Sequence, residues 1–545
     1  MPTAFLSSLP PLLSPAALRS LDKEAASFGI PELMLMENAA SAALAVLMEQ
    51  WGDPRGRRVW LFMGNGNNGG DAAALARILL DRGAEPLLFH LKDPGDYGGS
   101  PGHNLDLAAR DGAALARIDP ASPEGAIGQA LENGPPDLIV DGLLGTGFSG
   151  RLKPGLETLI RLINRLAESS RARVLSLDIP SGLDAETGAP SPVAVRADLT
   201  VSFAYNKAGL CLSGARPWAG KVYRRGVGFP RAVAENASPS GLLLDGSALL
   251  EPFEARKNSY KNVYGALCLI GGQPGMGGAI CLAALAALRA GAGLVFICAP
   301  TDTVRQARAL LPEAMTLDLG PGWPGGITPD LSAVLDKSDA AVFGPGLGES
   351  PEARGLARDF LALEDRPPAV FDADALRILG SEPELLRRVG CDDILTPHPA
   401  EAAALLGAAP GEIQGDRLGA LEKLTDKVAG SVVLKGADSL VGQAGRPFLL
   451  CPYDLPRLAI AGAGDVLAGC AGAFLASRER SSALASAGRA VVLHAMAALM
   501  LGRDFPERGL LSAEVAGALP RVQSWLRGLD KTELARGLAP WPRSD

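Results

Sequence analysis

At 545 residues the chain is too long for one core, so two or three domains are expected. Its 47% hydrophobic and 21% charged composition is that of a globular protein with large cores. A formal net charge of -8, with both signs interspersed, argues against nucleic acid or an anionic membrane surface as the main partner, so an anionic ligand must be met by local donors.

Seven cysteines, Cys211, Cys268, Cys281, Cys298, Cys391, Cys451 and Cys470, are scattered without any CxxC pair, which points to a reducing compartment. The N-terminal stretch lacks a basic leader region and is broken by Pro10 and Pro11. No uninterrupted apolar run approaches the roughly 20 residues of a membrane span. A soluble cytoplasmic protein is expected.

In chain order, Ser14-Pro15 makes a good helix start and Gly29 a stop. A second helix is predicted from about Glu32 to Gln50. Arg58 to Met63 reads as a strand, Gly64 to Asp71 as a loop, and Ala72 to Asp81 as a helix ending at Gly83. Further buried strands are predicted at Pro86 to Leu91, Asp137 to Asp141 and Arg173 to Asp178. The last two each end in an Asp followed by a Gly-rich or Pro-Ser-Gly loop. Ligands of parallel sheets bind beyond the carboxyl ends of strands, so a site belongs at these acidic ends.

Between Ala232 and Gly246 periodicity gives way to Ala, Ser, Pro and Gly, which marks a linker and divides the chain into residues 1–235 and 236–545. The second half begins with the strand Ala266 to Ile270, the loop Gly271 to Gly278 and an Ala-rich helix to about Ala290. Strands follow at Leu294 to Ala299, Ala340 to Phe343, Ala369 to Phe371, Asp393 to Thr396 and Ser431 to Lys435. The C-terminal third is predicted to be mostly helical. The fold class expected is α/β.

Gly64-Asn65-Gly66-Asn67-Asn68-Gly69-Gly70-Asp71 contains a G-x-G-x-x-G between strand and helix, a pattern shared with ordinary dinucleotide-binding turns. Its Asn-Asn-Gly-Gly-Asp core adds two amides and a carboxylate where backbone N–H groups converge, which suits a phosphate and a hard cation. The loops Asp141 to Gly150 and Asp178 to Asp184 also follow strands. The oxygen-only set Asn68, Asp141 and Ser181 fits an alkali or other hard ion, although each loop taken singly also suits an Asp that satisfies loop N–H groups.

In the second half, Ala461-Gly462-Ala463-Gly464-Asp465 joins an anion-binding turn to a carboxylate at the start of an apolar helix. Asp465 is placed to take a proton from a hydroxyl attacking a phosphoryl group; by itself it also suits a helix cap. Upstream lie Leu434-Lys435-Gly436-Ala437-Asp438-Ser439, Phe343-Gly344-Pro345-Gly346-Leu347-Gly348 and Thr396-Pro397-His398-Pro399-Ala400-Glu401. His398 is open to either a ligand contact or a structural hydrogen bond. Asp372-Ala373-Asp374 suits magnesium, substrate or a purely structural role.

Residues from about 10 to 230 resemble the NAD(P)H-hydrate epimerase family. The resemblance rests on the three loops together with Leu35-Met36-Glu37-Asn38-Ala39, Phe203, Lys207-Ala208-Gly209-Leu210 and Gly226-Val227-Gly228-Phe229-Pro230. It implies a Rossmann-like parallel sheet with helices on both faces. It further implies that Asn67, Asn68, Gly69, Gly70 and Asp71, the run Gly145, Thr146, Gly147, Phe148, Ser149, Gly150 and Arg151, and a catalytic Asp178 contact the hydrated nicotinamide nucleotide. By the same resemblance Asn68, Asp141 and Ser181 hold a potassium ion. Ala72 stands where the family usually has Gly.

Residues from about 250 to 505 resemble the ADP/ATP-dependent NAD(P)H-hydrate dehydratases of the ribokinase-like fold. That resemblance implies that ADP, or ATP in some relatives, phosphorylates the C6 hydroxyl of the hydrate before phosphate leaves and NAD(P)H is restored. Ala279, Gly346, His398 and a catalytic Asp465 would contact the hydrate, with Gly278 close by. Lys435, Gly436, Ala437, Asp438, Ser439 and Gly464 would bind the nucleotide, with magnesium as its companion. Three segments depart from the family pattern: Tyr260-Lys261-Asn262 for His-Lys-Gly, Asp454-Leu455-Pro456-Arg457-Leu458 for Gly-Asn-Pro-Gly-Met, and His494-Ala495 for His-Gly.

Both halves thus point to one metabolite, hydrated NADH and NADPH (NADHX and NADPHX). A homo-oligomer without nucleic-acid or membrane partners is expected. The alternatives are a ribokinase-like small-molecule kinase fused to a nucleotide-binding domain, which would release a stable phosphorylated product, and a non-catalytic nucleotide sensor.

Overall fold

The computed structural model describes residues 2–249, 261–478, 481–502, 504–505 and 508–527. Tyr260 lies outside them, as do the side chains of Lys261 and Asn262. The chain divides into two compact units: residues 11–241, and residues 1–10 together with 242–545. The division therefore falls later than the expected 235/236. The first ten residues group with the C-terminal unit because Phe5 and Leu9 are buried in its core. The expected linker carries a helical turn, Arg231–Ala234, whose Val233 is buried against Leu13 and Leu18.

The N-terminal unit is built on a seven-stranded sheet ordered 114–117, 85–90, 58–63, 138–142, 173–177, 199–203, 221–225, with all neighbouring strands parallel. Strand order reverses between Arg58–Met63 and Leu138–Gly142, which opens a crevice at their carboxyl ends. The first predicted helix forms as Pro15–Phe28. Ser14 Oγ accepts from Ala17 N at 3.2 Å, and Gly29 closes it in the left-handed region. The helix predicted from Ala72 instead begins at Asn67, with Gly66 as its cap. The Asn-Asn-Gly-Gly-Asp core is therefore the first turn of a helix and not a loop, which aims its free N–H groups at the crevice.

In the C-terminal unit strands run in the order 448–451, 439–442, 431–434, 394–395, 369–371, 340–343, 266–270, 294–299, 315–318. The pairs from 431–434 to 315–318 are parallel, and the first two pairs are antiparallel. The hairpin Ser439–Gly442 and Phe448–Cys451 was not expected, so the last third becomes mainly helical only beyond Pro456. Order reverses between Ala266–Ile270 and Ala340–Phe343. There Gly272 N donates to Pro345 O at 2.9 Å and Gln273 N to Gly346 O at 2.6 Å, joining the two Gly-rich loops. Helices Gly277–Ala290 and Ala463–Ala476 pack so closely that a Cβ at Gly469 would stand 2.0 Å from Ala283 O. One described helix, Ala483–Leu501, is long and apolar enough to cross a membrane, and 89% of it is buried within this core.

Candidate active sites

In the N-terminal crevice Asp141 is fully buried. It accepts hydrogen bonds from Ser181 N at 2.8 Å, Ser181 Oγ at 2.5 Å, Ser176 Oγ at 2.9 Å and Leu143 N at 3.3 Å. Burial pushes its carboxyl above the usual range, and the Ser181 bonds pull it back. Asn68 Nδ2 donates to Leu144 O at 2.8 Å and Leu177 O at 3.1 Å, so one amide ties the helix start to both strand-end loops. Its Oδ1 is buried without a hydrogen-bond partner.

Asp178 sits at φ +64°, a left-handed conformation that costs a non-glycine residue energy and marks functional positions. The fully buried Lys207 ammonium is ion-paired with its Oδ1 and donates to Ser202 Oγ and Phe203 O, both at 3.0 Å. All three ammonium protons are thereby engaged. Thr146 N donates to Asp178 Oδ2 at 3.2 Å, and a Cβ at Gly145 would stand 3.2 Å from Asn68 Cβ. Asp71 is held well above the carboxylate range by desolvation, then by the charges of Asp178, Asp22 and Glu32. Desolvation and the charge of Asp178 bring Asp22 to about 6.

Glu32 accepts from Asn67 Nδ2 at 2.6 Å and Ser100 Oγ at 2.9 Å. A Cβ at Gly69 would lie 2.2 Å from Gly64 O, and one at Gly70 would lie 2.5 Å from Met36 Sδ, so both glycines admit close packing of the helix start. Gly147, Ser149, Gly150 and Arg151 form the exposed outer part of their loop, while Phe148 packs partly on the core.

In the C-terminal unit Asp372 is buried at the end of strand Ala369–Phe371. Its Oδ1 accepts from Thr396 Oγ1 and Lys435 Nζ, each at 2.7 Å. Lys435 Nζ is also 3.8 Å from Glu401 Oε2. Burial works against the ammonium, yet Asp372, Glu401 and Asp465 together hold its affinity for the proton above the ordinary value. Asp465 occupies the first turn of Ala463–Ala476, after Gly462 at φ +87°. Burial, then the charge of Asp372, raise it to about 7. Gly464 faces this pair: a Cβ there would stand 3.3 Å from Lys435 Nζ.

His398 caps helix Pro399–Leu406. Its Nδ1 accepts from Ala400 N at 3.1 Å and Glu401 N at 3.2 Å, and the His398 backbone N–H donates to Glu401 Oε2 at 2.8 Å. The ring is nonetheless half-exposed beside Lys435 and Asp372. Burial raises Glu401 to about 7. At Gly346 (φ +62°) a Cβ would meet Met276 O at 2.7 Å and Ala279 Cβ at 3.4 Å, which brings Gly346 and Ala279 together. Asp374 Oδ2 accepts from Gly348 N at 2.8 Å.

A cavity of about 320 Å³ opens beside this group. Lys435, Gly436, Ala437, Ser439 and Gly464 line it, and so do Leu455, Pro456, Leu458, His494 and Ala495, which belong to the departing segments. Asp438 is buried behind it, where Arg417 Nη2 donates to Asp438 O at 2.8 Å, Leu434 O at 3.1 Å and Lys435 O at 3.3 Å, fixing the turn.

Sequence reasoning missed several of these groups. Glu401 was signalled by its place three residues after the capping His398. Lys207, a charge within an apolar run, was quoted but given no role. Arg417, Asp22 and Glu32 carried no motif, because their relevance depends on chain folding back from far away.

The fold and sites define a two-site α/β protein: a Rossmann-like unit with an oxygen-lined crevice, and a unit that couples a nucleotide-sized cavity to a Lys–Asp pair and a helix-start carboxylate. Residues 32–209 match a family model described as YjeF-related protein N-terminus, and residues 267–521 one described as NAD(P)H-hydrate dehydratase. The chain is 34% identical over 500 residues to the bifunctional NAD(P)H-hydrate repair enzyme of Coxiella burnetii, covering 91% of this chain and 96% of that one. It is 34% identical over 517 residues to the enzyme of that name from Escherichia coli, covering 93% and 92%. A solved ADP/ATP-dependent NAD(P)H-hydrate dehydratase from Bacillus subtilis is 26% identical, with a TM-score of 0.43, covering 50% of this chain and 94% of that one.

The chain belongs to the bifunctional NAD(P)H-hydrate repair enzymes. It is an enzyme that combines epimerisation of the hydrates with nucleotide-dependent dehydration.

Proposed function

We propose that residues 11–241 carry the epimerase and residues 242–545 the dehydratase, with the chemistry resting on Asp178 in the first and Asp465 in the second. Support for the first assignment comes from the way Lys207 holds Asp178 in a strained conformation at the strand end, next to an Asp71 that binds its proton strongly. A carboxyl that holds its proton beside a carboxyl ion-paired with Lys207 suits opposite proton-transfer roles. Asp178 handles the C6 hydroxyl proton while Asp71 acts as the acid as the stereocentre is opened and rebuilt.

Asn68, Asp141 and Ser181 would hold potassium. The unpartnered, buried Asn68 Oδ1 supports this, as does the all-oxygen donor set. The ion would supply positive charge for the substrate phosphates.

In the dehydratase the nucleoside lies in the 320 Å³ cavity against Leu455, Leu458, Leu467 and Val491. Its phosphates reach toward Lys435 to Ser439 and the N-terminus of helix Ala463–Ala476. Asp465 takes the C6 hydroxyl proton as the hydroxyl accepts the phosphoryl group. Phosphate is then a far better leaving group than hydroxide, and the ring nitrogen lone pair drives its departure. Magnesium would neutralise the phosphates alongside Lys435, with Asp372 and Asp374 as the carboxylates whose charges already act on Asp465. His398, Ala279 and Gly346 border the hydrate. Cys268, Cys281, Cys298 and Cys470 are buried as small apolar residues, which suits a reducing, cytoplasmic setting.

The grouping of Asp372 and Asp465 around Lys435, which itself lines the cavity, carries this reading. Its test is recovery of NAD(P)H absorbance from the hydrate with ADP. Accumulation of a stable phosphorylated hydrate would favour the kinase alternative.

A further inference from the structure

We infer that His494 reads the nucleoside of the nucleotide co-substrate through a neutral hydrogen bond. The inference rests on the reading that the nucleotide occupies the 320 Å³ cavity. His494 lies in helix Ala483–Leu501, is 7% exposed, and its Nε2 is buried with no hydrogen-bond partner. Buried polar atoms without partners are costly and uncommon, so this one calls for a physical reason. Its place supplies one. His494 is among the residues that line the cavity, beside the apolar Val491, Ala495 and Leu467.

Burial, then the charge of Lys435, lower the imidazole to about 4. At neutral pH it therefore carries no charge and offers one donor and one acceptor. That chemistry is poorly suited to a phosphate, which Lys435 and the helix start already serve. It matches the 2′ hydroxyl of a ribose or the N1/C6 edge of a purine. Both are neutral, both are capable of donating and accepting, and both can be enclosed by the apolar wall.

The test uses the full-length enzyme with the reactive hydrate epimer and three nucleotides: ADP, 2′-deoxy-ADP and inosine diphosphate. His494→Ala should raise the KM for ADP by about tenfold, the upper end for losing one neutral hydrogen bond, while kcat and the hydrate KM stay within about threefold. His494→Gln should recover part of the loss. The wild-type preference for ADP over one analogue should shrink in His494→Ala: over 2′-deoxy-ADP if the ribose is read, over inosine diphosphate if the base edge is read. An unchanged ADP KM, or the same factor of loss for all three nucleotides, would overturn the inference, because a purely structural histidine does not discriminate among them.

Ala459→Trp provides the separate control, since Ala459 is an exposed residue of the cavity lining. If it leaves the ADP KM unchanged, the cavity reading itself falls and this inference with it. If it blocks ADP while His494 variants affect all three nucleotides alike, only the role of His494 falls.

Discussion

Replacing Asp465 by Asn keeps the shape of the side chain and removes the proton acceptor. With Asp465 at about 7, roughly 9% of it is ionised at pH 6, about half at pH 7 and about 91% at pH 8. A base must be deprotonated to work, so wild-type dehydration should rise almost tenfold per pH unit at the acid end and level off above about pH 8. Asp465→Asn should retain the fold and nucleotide binding, lose about 10²-fold or more in rate, and lose this inflection; the loss corresponds to about 2.7 kcal/mol of transition-state stabilisation. Glu401 also titrates at about 7, so Glu401→Gln is the necessary companion, and it should keep the inflection. The assay is the return of NAD(P)H absorbance with ADP and the reactive epimer between about pH 5.5 and 8.5. Near-normal turnover in Asp465→Asn, or an unchanged inflection, would reduce Asp465 to an acidic residue that complements the helix N-terminus.

Lys207→Met should lower the stability of the N-terminal unit by about 3 kcal/mol, since it leaves the partly buried Asp178 without its cation; urea unfolding measures this, and unchanged stability would contradict the role given to the pair. Epimerisation should be slower in a large organic cation than in potassium, and Asn68→Ala and Asp141→Asn should erase that difference. Equal rates in both salts would remove the ion. Gly64→Ala should cost the epimerase its activity, because the new Cβ would stand 1.8 Å from Leu143 O, whereas dehydration should persist in the same chain. Normal epimerisation by this variant would show that the two loops need not pack so closely.

The strand-end loops were legible because their chemistry is local: Asp141, Asp178 and the Gly-rich turns announce themselves within a few residues. The helix start at Asn67 was misjudged because Gly69 and Gly70 read as loop formers, whereas close approach to Gly64 and Met36 is what demands them. The hairpin Ser439–Gly442 and Phe448–Cys451 escaped notice because short strands carry little period. The partners that set charge, Lys207 for Asp178 and Arg417 for the turn after Leu434, lie 29 and 18 or more residues away in sequence and meet their targets only through the sheet. His398 had two compatible readings; its Nδ1 caps the helix and its Nε2 lies 3.3 Å from Glu401 Oε1, which fills the structural one, with the ring half-exposed beside Lys435.

The central claim is that two sites on one chain act in sequence on the two epimers. Its most direct measurement follows an equimolar epimer mixture with ADP, under conditions where spontaneous epimerisation is slow. Asp178→Asn should restore NAD(P)H from about half of the mixture and then stall. Asp465→Asn should interconvert the epimers while restoring almost none, and mixing the two variants should carry the reaction to completion. Consumption of both epimers by Asp178→Asn at the wild-type rate would contradict the account, since the second site would then need no epimerase to feed it.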